Sequence, residues 1–144
     1  MMIEILSSIF ARELALPLSE SLKAGFPSPA ADYTRQSLDF NRDLIRHPEA
    51  TFYARVSGDS MIEAGINDGD IAVIDRSLDA VQGDLVVAFV DGEFTMKQID
   101  FSHREEGYIL LHPANPNYKD FRIEGDETFE VWGVVIWTIR SWRK

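Results

Sequence analysis

The sequence predicts a mainly β domain preceded by an N-terminal arm. From residue 51 onward, the chain consists of short runs rich in Val, Ile, Phe and Tyr, which are typical of strands. Gly, Asp and Asn separate these runs, as the turns between antiparallel strands require. Residues 1–50 carry prolines and a weaker pattern, which indicates a different organisation. With 144 residues, the chain is long enough for one compact domain with a tail.

The first 23 residues predict an arm that packs on another surface. Their apolar side chains recur too often for a solvated tail, and Pro17 interrupts any long helix. Glu4, Arg12 and Glu13 interrupt the apolar run. The segment also lacks the basic residues followed by an uninterrupted apolar stretch that are typical of a signal peptide. The arm is therefore predicted to be neither a signal peptide nor a membrane span.

A linker and a short helix are predicted to follow the arm. The linker is KAGFPSPAADY, residues 23–33, where Gly25, Pro27 and Pro29 favour an extended, weakly packed segment that a protease can reach. Residues 37–45, SLDFNRDLI, carry apolar side chains on one side of a helical pattern and charged ones elsewhere. They predict a short amphipathic helix.

Six strands and one hairpin are predicted after the helix. Asp91-Gly92 lies between two strand-like runs and is the strongest hairpin signal in the chain. The last run belongs to the aromatic segment WGVVIWTIRSW, which fits either a core strand or a dimer face. The strand-like runs are TFYARV (51–56), DIAVID (70–75), DLVVAFV (84–90), EFTMKQI (93–99), YILLHP (108–113) and FEVWGVVIWTI (129–139).

The charge and the cysteine content narrow the classes of function. Fourteen basic and 24 acidic residues give a formal net charge of −10, which argues against strong direct binding to nucleic acid. Any work on DNA is therefore expected to go through a protein partner. The chain has no cysteine, which fits a reducing cytoplasm. The three histidines are scattered without metal-site spacing, so we predict no metal and no cofactor.

Ser60, in the stretch VSGDSM, has two compatible interpretations. In the first, Ser60 and Glu63 form an S-x-x-E capping box at the start of a short helix. In the second, Ser60 is a nucleophile. A serine at a helix start lies beside free backbone N–H groups, and its own N–H and that of a neighbour are candidate donors to a developing oxyanion.

A nucleophilic serine needs a base, and histidine fits poorly. A chymotrypsin-like order requires histidine and aspartate well before the serine, whereas only His47 precedes Ser60. An SGNH-type esterase pairs the serine with a downstream Asp-x-x-His, and Asp100 and His103 match that spacing. However, the hairpin patterns after Ser60 leave no room for the crossover helices of a parallel sheet.

Lys97 is the third candidate base. Strand alternation in EFTMKQI places Thr95, Lys97 and Ile99 on one face, among residues that can be buried. A lone strand lysine is usually a solvated edge residue. As a base, Lys97 must be neutral, which requires burial to lower its pKa. A neutral Lys97 would take the proton of Ser60 and later pass it to the leaving amine.

Five stretches together resemble the UmuD-type accessory subunits of Y-family translesion polymerases, which are related to LexA-type repressors. The resemblance implies a LexA/signal-peptidase-like curved β-structure with a flexible N-terminal arm. It also implies that Ser60 is the nucleophile, Lys97 the general base and Ala24-Gly25 the scissile bond. The family's bond is Cys-Gly in some members and Ala-Gly in LexA-type repressors. The stretches are AGFPSPAADY (24–33), SGDSM (57–61), DGD (68–70), GDLVVAFVDGEFTMKQI (83–99) and WGVVIW (132–137).

The resemblance further implies how the chain is divided and which partners it has. Residues 1–24 would be an arm removed by self-cleavage, residues 25–40 an extended cleavage-segment linker, and residues 41–144 a Ser-Lys peptidase-like β domain. A RecA-type filament on single-stranded DNA would stimulate cleavage. The shortened chain would form homodimers and join a UmuC-like Y-family polymerase in the SOS response.

Two alternatives remain open at this point. One is a non-catalytic dimeric interaction subunit of a polymerase, in which VSGDSM is only a capped turn and Lys97 an ordinary strand lysine. The other is the small esterase, which would depend on His103.

Overall fold

The structure, a computed structural model, describes residues 2–6, 14–18, 37–125 and 129–143. It divides the chain into two compact units, one of residues 9–48 and one of residues 1–8 together with 49–144. The predicted linker, including Ala24 and Gly25, lies outside the described residues.

The described residues form ten strands, and every pairing among them is antiparallel. Eight strands build one sheet in the order β1-β4-β5-β10-β6-β7-β8-β9. The mainly β prediction is thereby confirmed. The strands are β1 (Met2–Leu6), β2 (Leu16–Pro17), β3 (Ser37–Leu38), β4 (Thr51–Ser57), β5 (Ile71–Asp75), β6 (Leu85–Val90), β7 (Glu93–Asp100), β8 (Tyr108–His112), β9 (Phe121–Glu124) and β10 (Phe129–Ile139).

The six predicted strands match β4, β5, β6, β7, β8 and β10. The predicted hairpin joins β6 to β7, and its turn residues Asp91 and Gly92 have φ values of 51° and 82°. Two consecutive positive φ values are the pattern of the type I′ turn that Asp-Gly favours. The predictions missed β9, a four-residue strand in which only Ile123 is buried, so its sequence carries little apolar signal.

The start of the predicted arm forms β1, an edge strand paired with β4 from Met2 opposite Ser57 to Leu6 opposite Tyr53. The first residues of the arm therefore pack on the sheet, as expected. β10 lies between β5 and β6, which supports the core-strand interpretation of the aromatic segment. Trp137 and Trp142 nevertheless stay exposed.

Both faces of β7 are covered by buried side chains. Met96 packs in a cluster with Met61 and Val87, while Ile99 packs in a second cluster with Val86. The middle of β7 is therefore largely removed from water on both faces, although Gln98 stays exposed. Such burial is the environment that a lysine needs to lose its proton.

The smaller unit pairs β2 with β3 and continues into a π-helical turn, Phe40–Leu44. The helix predicted over residues 37–45 is therefore shorter than expected. Asp39 has extended backbone geometry, and its carboxylate accepts hydrogen bonds from the backbone N–H groups of Asn41 and Arg42. This cap fixes the helix start after residue 39.

Short 3₁₀ turns cover Pro48–Ala50, Ile62–Ala64 and Arg104–Glu106. Among the residues described, none of the helices has the length and apolar character needed to cross a bilayer.

Candidate active site

Ser60 lies in a tight turn directly after β4 and is fully buried. Gly58, at φ 94°, begins the turn, and its N–H donates to Asp68 Oδ1 at 2.8 Å. The N–H of Gly69 donates to the carbonyl of Val56 at 2.7 Å. The SGDSM and DGD stretches therefore lie side by side and hold the Ser60 turn at the end of the strand.

The capping-box interpretation of Ser60 is wrong. The residue that precedes the 3₁₀ turn is Met61, and no side chain caps it. The N–H of Glu63, which a serine cap would satisfy, instead donates to the carbonyl of Ala114 at 2.8 Å. Because Ala114 takes that donor, the Ser60 hydroxyl is left for another partner.

That partner is Lys97. Lys97 Nζ lies 3.4 Å from Ser60 Oγ, and the lysine side chain also donates to Thr95 Oγ1 at 2.8 Å and to the carbonyl of Met96 at 3.1 Å. Lys97 is only 3% exposed, so the interpretation as a solvated edge lysine is wrong. The contact with Thr95 agrees with the predicted shared strand face.

Burial lowers the pKa of the Lys97 amine below its ordinary value. The physical cause is that a charged ammonium loses its hydration inside the sheet, while the neutral amine loses little. A neutral amine has two N–H donors and one lone pair. Thr95 and Met96 can receive the donors at the shorter distances, which leaves the lone pair for the Ser60 hydroxyl proton.

Two backbone donors beside the serine make no hydrogen bond with any described residue. They are the N–H groups of Ser60 and Met61, whereas the N–H of Ile62 donates to the carbonyl of Asp59 at 3.2 Å. Adjacent free N–H groups are the usual means of stabilising an oxyanion. Ser60 is one of the candidate donors named from the sequence, and Met61 is a neighbour of the kind that was expected to supply the second.

A loop after β8 holds the serine turn from the other side. Within segment 114–118, the N–H of Ala114 donates to the carbonyl of Ser60 at 2.8 Å. Asn115 Nδ2 donates to the carbonyl of Asp59 at 2.9 Å, and Tyr118 Oη donates to Asp59 Oδ1 at 2.5 Å. Sequence reasoning missed both side chains, since the turn-forming stretch Asn-Pro-Asn marks a loop but not what the loop contacts.

A cleft of about 480 Å³ opens beside Lys97. Its walls combine apolar side chains with the acidic pair Asp91 and Glu93, and the Phe121 ring centre lies 6.0 Å from Lys97 Nζ. Its volume is within the range of ligand-binding clefts. Its lining residues are Ile3, Val90, Asp91, Glu93, Phe94, Thr95, Lys97, Tyr118 and Phe121.

The histidine required by the esterase hypothesis has other contacts. The His103 ring stacks on Tyr108 at 4.8 Å and lies 3.5 Å from Glu106, while Asp100 pairs with His112 at 2.8 Å. The described strands form no parallel pair, so the α/β sheet of that class is not present there. Within the described part of the chain, no three potential ligand side chains group as a metal site would need.

Sequence comparison finds one protein-family model and several known proteins that are similar to this chain. A family model described as Peptidase S24-like matches residues 17–136. Protein SamA of Salmonella typhimurium is 46% identical over 117 residues, which cover 81% of this chain and 79% of SamA. Protein MucA of Escherichia coli is 44% identical, with 81% and 77% covered. The LexA repressor of Clostridium perfringens is 37% identical over 76% of this chain and 52% of the repressor.

Proposed function

Because this chain belongs to the Peptidase S24-like family, as its LexA-like sequence pattern predicts, we propose that it is a self-cleaving serine endopeptidase. Ser60 is the nucleophile, Lys97 the general base and Ala24-Gly25 the bond that is cut. The observation that supports this most directly is the 3.4 Å approach of a buried lysine amine to a serine hydroxyl.

The reaction uses only groups of this chain and one water. Neutral Lys97 takes the hydroxyl proton while Ser60 Oγ bonds to the carbonyl carbon of Ala24. The N–H groups of Ser60 and Met61 stabilise the oxyanion. The C–N bond then breaks, Lys97 returns the proton to the Gly25 amine, and an ester remains on Ser60. Water, with Lys97 again as base, hydrolyses the ester and releases the Ala24 carboxylate.

The cleft beside Lys97 is the proposed seat of the cleavage segment. Ala24 and Gly25 are small, so the backbone can approach Ser60 closely, and Pro27 and Pro29 favour an extended path. The apolar cleft wall suits the Leu and Phe of the sequence SLKAGF. Because the substrate is tethered, little entropy of encounter opposes the reaction.

We propose that the rate of cleavage is controlled by how often the cleavage segment docks in the cleft beside Lys97. Ser60 is fully buried in the structure, so reaction needs a conformation in which the cleft reaches Ser60 and the segment occupies it. If that conformation is a small fraction of the population, a partner that favours it raises the rate by up to the inverse of the fraction. We propose a RecA-type filament on single-stranded DNA as that partner.

The product is proposed to be a polymerase subunit. The chain from Gly25 onward joins a UmuC-like Y-family polymerase in the cytoplasm during the SOS response. The net charge of −10 fits a role through proteins rather than direct DNA contact. Homodimerisation is part of this proposal, and exposed Trp137 and Trp142 offer apolar surface that a second copy can cover.

Intact-mass spectrometry tests the proposal. Wild-type, Ser60→Ala and Lys97→Ala chains are incubated with and without an activated RecA-type filament. We expect a product that begins at Gly25 from the wild type alone, and more of it with the filament. Fragmentation at Ala24-Gly25 that persists in Ser60→Ala would exclude Ser60 as the nucleophile.

The complete burial of Ser60 favours a second candidate, a non-catalytic dimeric interaction subunit. It predicts that the wild-type chain stays intact under every condition and still binds the polymerase. The same mass measurement separates the two functions.

A further inference from the structure

Segment 114–118 holds the peptide that carries the nucleophile. Asn115 is nearly buried, and its side-chain oxygen accepts from the N–H of Asn117 at 2.9 Å while the N–H of Tyr118 donates to the carbonyl of Asn115 at 3.1 Å. The segment is thus a tight turn with fixed side chains. It bonds to Asp59 and Ser60 across 54 to 59 residues of sequence.

The contact with Asp59 determines where the Ser60 N–H points. The Asp59–Ser60 peptide is planar and trans, so the carbonyl of Asp59 and the N–H of Ser60 point in opposite directions. Asn115 Nδ2 and the N–H of Ile62 both donate to that carbonyl. Fixing the carbonyl on one side therefore fixes the N–H on the other, where it makes no bond with a described residue.

Tyr118 adds a second anchor on Asp59. Its hydroxyl donates to a carboxylate oxygen at 2.5 Å, the short distance typical of a charge-assisted hydrogen bond. The bond to Asp59 is also the main cause of the raised pKa of Tyr118. The Tyr118 ring lines the cleft beside Lys97. One residue therefore connects the wall of the cleft to the turn that carries Ser60.

We propose that Asn115 and Tyr118 are positioning residues for the cleavage reaction: they hold the Asp59–Ser60 peptide so that the Ser60 N–H stays aligned as an oxyanion donor. This inference rests on the proposed self-cleavage. It assigns a role to a loop with none of the dyad residues, and it explains why Asp59 is held at both its carbonyl and its side chain.

The test measures self-cleavage rates of full-length variants at several pH values by intact mass, with the thermal midpoint of each. Tyr118→Phe keeps the ring in the cleft and removes only the donor, and Asp59→Ala removes the acceptor. Asp59→Asn keeps a side-chain oxygen that can accept from Tyr118. The matched control is Tyr53→Phe, since the Tyr53 hydroxyl makes no hydrogen bond with a described residue.

We expect Tyr118→Phe and Asp59→Ala each to slow cleavage about tenfold, the usual effect of one charge-assisted hydrogen bond. The double variant should be no slower than the slower single variant, because both changes remove one interaction. Asp59→Asn should be intermediate, about threefold slower than the wild type, because a neutral acceptor keeps about half the strength of the charge-assisted hydrogen bond. The pH at which the rate rises should not move, because Lys97 is untouched.

Three results would overturn the inference while leaving the dyad in place. The first is a wild-type rate in Tyr118→Phe. The second is an Asp59→Asn chain as slow as Asp59→Ala. The third is a rate loss that simply follows a fall in thermal midpoint, including in Tyr53→Phe. A wild-type chain that never cleaves would overturn the proposed function and this inference together.

Discussion

Lys97 Nζ and Ser60 Oγ lie 3.4 Å apart although 37 residues separate them, and both side chains are almost completely removed from solvent. A charged lysine is costly in that position, and a neutral one is a base. The same burial therefore prepares the chemistry and reduces the stability of the fold.

The cleavage rate should increase with pH. Burial lowers the pKa of Lys97, so the neutral fraction grows at a pH below the usual range of lysine. Below that pKa, the rate should rise about tenfold per pH unit and then level off. Lys97→Arg should stay inactive throughout, because guanidinium does not lose its proton. Rates by intact mass between about pH 6 and 10 check this; a flat profile in the wild type would exclude lysine as the base.

Lys97→Met should stabilise the domain at neutral pH by about 1 kcal/mol. The folded-state pKa of Lys97 is depressed, so the unfolded chain binds more protons and the wild type gains stability as pH rises. The difference between Met and Lys should therefore shrink toward pH ~10. Urea unfolding at two pH values measures it. A Met variant that is less stable at neutral pH would show that the hydrogen bonds of Lys97 outweigh its desolvation.

Thr95→Val should slow cleavage about tenfold without unfolding the chain. Valine has nearly the shape of threonine but cannot accept the 2.8 Å hydrogen bond that holds the Lys97 amine. The matched control is Thr138→Val, the same change at an exposed position of β10, which should cleave like the wild type. Equal cleavage rates in both variants would show that the Thr95 hydroxyl is not needed to hold the Lys97 amine for catalysis.

The contribution of His112 to the stability of the fold should be largest at mildly acidic pH. Its ring lies between Asp100 at 2.8 Å and Asp120 at 2.9 Å. Burial opposes the charged ring, but hydrogen bonds to the two carboxylates outweigh it, so the pKa of His112 is raised. The hydrogen bond from His112 is also the main cause of the lowered pKa of Asp100.

The directions of the pKa shifts of His112 and Asp100 define the pH range in which their interaction stabilises the fold. The contribution of His112 is complete below its unfolded pKa of about 6.5 and is lost as pH rises through the higher folded value. The contribution of Asp100 is present above its unfolded-state pKa of about 3.9 and is lost as pH falls through the lower folded value. Urea unfolding of wild type and His112→Gln should therefore differ more at pH ~5.5 than at pH ~8.5. An equal difference at both would mean that the ring is not charged in the fold.

Local chemistry made much of the fold predictable. The Asp91-Gly92 turn needs only two residues that tolerate positive φ, and the six strands flanked by turn residues carry their apolar signal within a few positions. β9 was not predicted because only one of its residues is buried. The helix predicted over residues 37–45 was too long because Asp39, inside that range, is the N-cap at which the helix begins.

The sequence by itself determined the class of the chain, its antiparallel strands, its acidic character and the residue types that a Ser-Lys dyad requires. Only the tertiary structure decided that Ser60 is not a helix cap and that Lys97 is buried beside it. The contacts of Asn115 and Tyr118 with Asp59 are likewise known only from the tertiary structure. The reason is physical: turns and strand patterns depend on neighbouring residues, whereas hydrogen bonds across 37 to 59 residues, and the burial that shifts a pKa, exist only once the sheet has brought distant segments together.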